Sequence, residues 1–152
     1  MCMPSDQSKL IIEVCQSVFE LRYKLRRMFQ IKIKEAGIDA SYEVLEILTL
    51  LNSRDRLNQQ ELADLLFKDK SSMTYLIDNM VKAGLVTRKE DEKDRRNKLI
   101  LLSEKARCLI KQLSPIANHC YTALAEDIAY QDIKTGIQML AKMNNSAEAL
   151  IL

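Results

Sequence analysis

Only one place in this chain breaks a helical rhythm, and that place limits the folds open to it. Up to Gly84 the apolar residues recur every three or four positions. After it, Leu85-Val86-Thr87-Arg88 and Leu99-Ile100-Leu101-Leu102 are short runs of extended character. They flank a polar, highly charged stretch at residues 89–97, KEDEKDRRN. Two short strands about a charged tip form a hairpin. From Ser103 onward the helical period resumes. The chain has 3 glycines and 2 prolines in 152 residues, too few turn formers for a many-stranded sandwich or barrel. The expected fold is therefore mainly α with one small β-hairpin.

The helices follow from spacing and caps. Residues 8–36 carry Ile11, Val14, Val18, Leu21, Leu25 and Met28 on one stripe, and Gly37 ends the run. Such a helix is ~40 Å long, more than one small domain can cover, so part of its stripe is expected to pack on a second copy of the chain. Ser41 caps a second helix holding Val44, Leu45, Leu48 and Leu51, which closes at Asn52-Ser53. Asn58, with Glu61 three residues on, caps a third whose inner face is Leu62, Leu65 and Leu66. Asp69 caps a fourth holding Met73, Leu76, Ile77 and Met80, and Gly84 ends it. Ser103 caps a fifth helix running to about Ala129, bent by Pro115. Asp132 is read as the cap of the last. The expected order is four helices, a hairpin and two helices, with no linker and no internal repeat.

Function is legible in residues 59–77, QQELADLLFKDKSSMTYLI, which match a helix-turn-helix. Small Ala63 lets the two helices cross closely, and Leu62, Leu66, Met73 and Leu76 fix their angle. The second helix then exposes Lys70, Ser71, Ser72, Thr74, Tyr75, Asp78 and Asn79. Short hydroxyls and an amide suit base edges and phosphates, and the helix N-terminus offers backbone N–H groups to a phosphate. A hairpin directly after this motif is a wing. Its Arg95 and Arg96, with Lys98, suit a narrow A·T minor groove, whose negative potential attracts arginine. Asp91 and Asp94 are expected to order the tip from within, and Arg88 to hold a phosphate or pair with one of these acids.

Residues 59–106 resemble the multiple-antibiotic-resistance regulator (MarR) family of winged-helix transcription factors. The most specific stretch is GLVTRKEDEKDRRNKLILLSEKA, with Gly-Leu-Val, an arginine, an Asp-x-x-Asp-Arg-Arg tip and a Leu-Ser before a helix. The resemblance implies a winged helix-turn-helix at 38–102 and helical dimerisation segments at 8–36 and 103–152. It also implies a homodimer on double-stranded DNA, with the fourth helix in the major groove and Arg96 in the minor groove. Release by a small aromatic or phenolic effector, and a repressor output, follow from the same resemblance. Three positions depart from the family pattern. Phe67 stands where the turn often has glycine, Tyr75 where members often have arginine, and Ala106 where a glycine is common.

Other chemistry is thinly represented. Cys2, Cys15, Cys108 and Cys120 form no CxxC pair, and the polar N-terminus has no secretory core, so a cytoplasmic protein with reduced thiols is expected. Cys15, in the first helix, is a candidate oxidant sensor; Cys108 and Cys120 read as core. Met28, Met73, Met80, Met139 and Met143 also read as core. His119 is the only histidine and has no partners at metal-ligand spacing, so no metal and no cofactor are expected. No nucleophile–base pair or phosphate loop points to an enzyme. The alternative of a different class is a winged helix used as a protein-interaction module, which would bind no DNA.

Overall fold

The computed structural model describes residues 6–54, 56–92 and 98–151. Its elements are α1 (Asp6–Glu35), α2 (Tyr42–Ser53), α3 (Gln59–Leu65), α4 (Lys70–Lys82), β1 (Val86–Glu90), β2 (Lys98–Leu102), α5 (Glu104–Ala125) and α6 (Tyr130–Ile151). The mainly helical fold with a two-stranded hairpin is the one expected.

Side-chain caps set the starts of the short helices. Ser41 Oγ accepts from the Val44 amide at 3.3 Å. Asn58 and Glu61 form the reciprocal capping box, at 2.9 and 2.7 Å. Asp69 accepts from the Ser72 amide at 2.8 Å. Ser103 accepts from the Ala106 amide at 3.1 Å and donates to the Gly84 carbonyl at 2.7 Å, so one hydroxyl starts α5 and closes the end of α4.

Three helices end by the same backbone device. At Gly37, Phe67 and Gly84 the residue itself bonds three positions back, and its successor bonds five positions back. This is the Schellman closure, whose pivot residue takes the left-handed conformation. The pivots have φ of 69°, 51° and 71°. Glycine adopts this freely, whereas a residue with a Cβ is strained there by about 1–2 kcal/mol. The helix-turn-helix turn thus keeps the geometry glycine would give it, with phenylalanine in the strained place. Arg56 also has positive φ, 63°.

The hairpin pairs Val86 with Leu102 through to Glu90 with Lys98. Both strands run into the charged stretch, and the opposite charges of Glu90 and Lys98 face each other across the last pair. On the outer side of β2, the Ile100 amide donates to the Leu57 carbonyl at 2.9 Å and Asn58 bridges Leu99. The hairpin base is thereby stitched to the segment before α3.

The described residues fall into two compact units divided within α5, after Ile116. The core of the first contains Ile33, Ile47, Leu48, Leu62, Ala63, Met73, Ile77, Met80, Val86, Ile100, Ala106 and Leu113, each at most 2% exposed. Phe29 stacks on Tyr42, tying α1 to the start of α2. Ala106 is fully buried, so the methyl that replaces the family's glycine has a place in the core.

Several expectations are corrected here. The fifth helix ends at Ala125 rather than near Ala129, because Glu126 and Asp127 follow it and acids oppose the dipole at a helix C-terminus. Asp132 is not the cap of α6. It lies in the first turn, its amide donating to Ala129, where a carboxylate complements the dipole without capping. Cys108 is exposed, whereas Cys120 is buried as expected. Met73 and Met80 are core, but Met139 is 41% exposed.

Candidate nucleic-acid interface

Helix α4 divides into three rows of side chains, each with a different occupation. Met73, Ile77 and Met80 form the buried row that anchors it. A second row, Thr74 and Asp78, is half-buried and tied into the chain. Thr74 donates to the Lys70 carbonyl at 2.8 Å and accepts from Gln59 Nε2 at 2.6 Å. Gln59 Oε1 accepts from Arg88 at 3.2 Å, and Arg88 reaches Asp78 Oδ1 at 2.6 Å. This relay joins the start of α3, the middle of α4 and strand β1. The third row, Ser71, Tyr75 and Asn79, is spaced by four residues and lies exposed. Lys70 and Lys82 flank it at the helix ends and are exposed too.

The relay settles Arg88. This arginine pairs with Asp78 on α4, and its guanidinium braces the wing base against the helix. Sequence reasoning missed this because Asp78 lies ten residues away, across a helix end and a turn. Gln59, which completes the relay, was also missed. Its only visible mark was its place as the first residue of α3.

The N-terminus of α4 is also occupied. The Asp69 carboxylate holds the Ser72 amide through one oxygen and accepts from Ser72 Oγ at 2.6 Å through the other. The Ser72 hydroxyl and amide hydrogen bonds hold the Asp69 carboxyl below the usual aspartate range. The expectation of free amides awaiting a phosphate is corrected accordingly: a negative charge already sits there. Of the expected contact residues on this helix, Lys70, Ser71, Tyr75 and Asn79 keep their polar groups outward, whereas Ser72 and Thr74 spend hydroxyl protons within the chain.

On the wing, Lys98 opens β2 and is exposed. Asp91, just beyond β1, is half-buried and has a partner, which fits an internal role. Asp94, Arg95 and Arg96 lie outside the described residues, as does Cys2. Arg56 lines a cleft against Lys89, Glu90, Leu99 and Leu101 on the hairpin's flank.

Residues 22–34 of α1 hold six basic residues, Arg22, Lys24, Arg26, Arg27, Lys32 and Lys34, of which Lys24, Arg26 and Lys32 form ion pairs. Arg26 pairs with Glu43 on α2, and Lys32 with Glu35 at 2.8 Å. Glu46, half-buried on α2, has its pKa raised by loss of water, against the opposing pull of Lys68 and Arg22. Cys15 is an exposed thiol on α1. Among the described residues no group of three His, Cys, Asp or Glu could hold a metal ion, and no helix is long and apolar enough to cross a membrane.

Comparison with known proteins places this architecture. The MarR family model matches residues 41–98, the span from the α2 cap to the start of β2. The Bacillus subtilis (strain 168) HTH-type transcriptional regulator YfiV is 32% identical over 76 residues, covering 50% of this chain and 48% of that protein. The chain thus matches about half the length of that relative. A MarR transcriptional regulator from Methanosarcina mazei Go1 superposes with a TM-score of 0.74 at 26% identity, covering 90% of this chain and 97% of the other. The Staphylococcus aureus MepR–DNA complex shares the fold, with a TM-score of 0.76 at 20% identity over 86% and 93% of the two chains. YfiV and the Methanosarcina protein are named as transcriptional regulators. The winged helix, its capped helices and the family match at its centre agree: residues 41–98 of this chain are similar to the MarR family.

Proposed function

We propose that this protein is a transcriptional regulator that binds double-stranded DNA as a homodimer. The single observation that carries the reading is the row Ser71, Tyr75 and Asn79. It is exposed on a helix whose remaining rows are buried in the core or locked in the Thr74–Gln59–Arg88–Asp78 relay. A helix so fixed presents one ridge of small polar and aromatic groups to the major groove. Lys70 serves a phosphate beside it. Lys98 and the wing arginines Arg95 and Arg96 serve the adjacent minor groove, with Asp91 and Asp94 ordering the tip. The relative MepR has been solved on DNA, which supports this placement by fold.

The dimer is supported by apolar surface that each unit leaves uncovered. On α1, Leu10, Val18, Phe19 and Leu21 are 42–75% exposed. On α6 no residue is buried, and Ile137 is 63% exposed. In the same reading the regulator is a repressor released by a small aromatic or phenolic effector, as its family resemblance implies. The exposed thiol of Cys15 favours a second input, oxidation, tested by whether a peroxide abolishes binding in the native chain but not in Cys15→Ser.

The deciding measurement is a fluorescence-anisotropy titration against random duplexes at about 50 and 200 mM salt, with selection of the bound fraction. Six or more phosphate contacts give a loss of roughly a thousandfold between those salts, and a palindrome enriches. Absence of binding at low salt by a folded dimer would leave a protein-interaction module.

A further inference from the structure

The three Schellman ends allow a comparison within one chain. Two pivot on glycine and the third on Phe67, with the same pair of closing hydrogen bonds. The backbone therefore asks for glycine at residue 67 and receives a bulky residue ill suited to φ of 51°. Such a side chain persists in a stable fold when packing holds it, yet the Phe67 ring is 87% exposed. The apolar contact that usually accompanies this closure joins the residues at 63 and 68, so the ring at 67 contributes nothing to it. Strain and exposure together leave the ring without a role inside the chain.

Its surroundings indicate what covers it. Phe67 lies in the turn two residues before the Asp69 cap of α4. Lys68 follows it and lines one open cleft with Glu43 of α2 and with Ser71 and Tyr75 of the exposed row. Lys70 lies one turn further on. The turn is thus continuous with the ridge assigned to the major groove, and Lys68 and Lys70 stand close after Phe67 in the sequence. A duplex backbone offers what such a group needs: deoxyribose faces that are apolar, beside phosphates that the lysines neutralise.

We propose that Phe67 is a DNA contact, its ring packing on the deoxyribose of the backbone that borders the major groove. The inference rests on the DNA-binding reading above. Residue 67 trades fold stability for affinity, so relieving its strain must move the two quantities in opposite directions.

The test compares the native chain with Phe67→Gly and Phe67→Asn, since both replacements tolerate the left-handed conformation. Thermal unfolding is followed without DNA, and anisotropy titration uses a selected duplex over a range of salt. Phe67→Gly is expected to raise Tm by about 2–4 °C and weaken binding by about five- to tenfold. The slope of log affinity against log salt stays unchanged, because an apolar contact releases no counterions. Unchanged affinity in a stabilised Phe67→Gly overturns the inference while leaving the regulator reading intact. A fall in Tm overturns it as well, by showing that the ring packs within the protein. Failure of the native chain to bind any duplex removes both readings. Loss of affinity in both variants, with the salt slope kept, establishes the contact.

Discussion

Neighbouring polar residues of α4 differ in what they are free to do. Thr74 and Tyr75 are adjacent, but the threonine hydroxyl already has a donor and an acceptor while the tyrosine ring is 69% exposed. Tyr75→Ala or Asn79→Ala is expected to relax the sequence preference at one position of each half-site, at a cost of about 1–3 kcal/mol against the preferred base. Thr74→Ala instead loosens the relay and weakens all sequences alike; selection of bound duplexes with each variant separates the two patterns. Glu46 supplies a pH-dependent prediction. Burial raises its folded pKa above the unfolded value, so the group favours the fold at pH below that unfolded value. This contribution is lost as pH rises through the folded one. Near neutrality its charge is held at a desolvation cost. Glu46→Gln is therefore expected to raise Tm at pH 7 and to change it little near pH 4, by thermal melts at both. Asp69 has the opposite sign. Its folded pKa is lowered, so its capping contribution is present above the ordinary aspartate range and fades as pH falls through the lowered value.

At the scale of elements, the caps carried most of the legible information. Ser41, Asn58, Asp69 and Ser103 each start the helix they announce, since an Ncap acts through a side chain and an amide two or three residues away. Removing one has a local and measurable cost: Asn58→Ala deletes the side-chain acceptor for the Glu61 amide, leaves the residue-58 amide on the Glu61 carboxylate, and is expected to lower stability by about 1 kcal/mol, by urea unfolding. The end of α5 was harder to read. Asp132 has the chemistry of a cap, but the chain enters α6 two residues earlier, and spacing alone could not tell a cap from a first-turn acid. The relay through Gln59 and Arg88 was illegible for a different reason. It links three elements whose mutual placement is set by the core, and no local pattern encodes which acid a strand arginine will meet. Its outcome ties the wing base to α3 and α4 through side-chain hydrogen bonds. The helix-turn-helix itself was legible because its buried leucines and methionines keep helical spacing on both sides of the turn.

At the scale of the whole molecule, the proposed dimer rests on the exposed apolar residues of α1 and α6. In the proposed complex, two copies of α4 reach successive major grooves only when a two-fold axis spaces them by one turn of the duplex, ~34 Å. Ile137→Glu, which places a charge on α6 at a 63% exposed position, is expected to shift sedimentation from dimer to monomer. It should also make Tm independent of protein concentration, whereas the native Tm rises with concentration. A native chain that sediments as a monomer at micromolar concentration would rule out the dimer. The hydrogen bond from Ile100 to Leu57 has a kinetic consequence in the same molecule. An amide on the outer edge of a two-stranded hairpin would ordinarily trade its hydrogen with solvent whenever the hairpin breathes. Here that amide is clamped beneath the capping box of α3, and its side chain is only 1% exposed. Its deuterium uptake should therefore wait for the opening of the helical core, which makes Ile100 a reporter of global unfolding placed at the root of the wing.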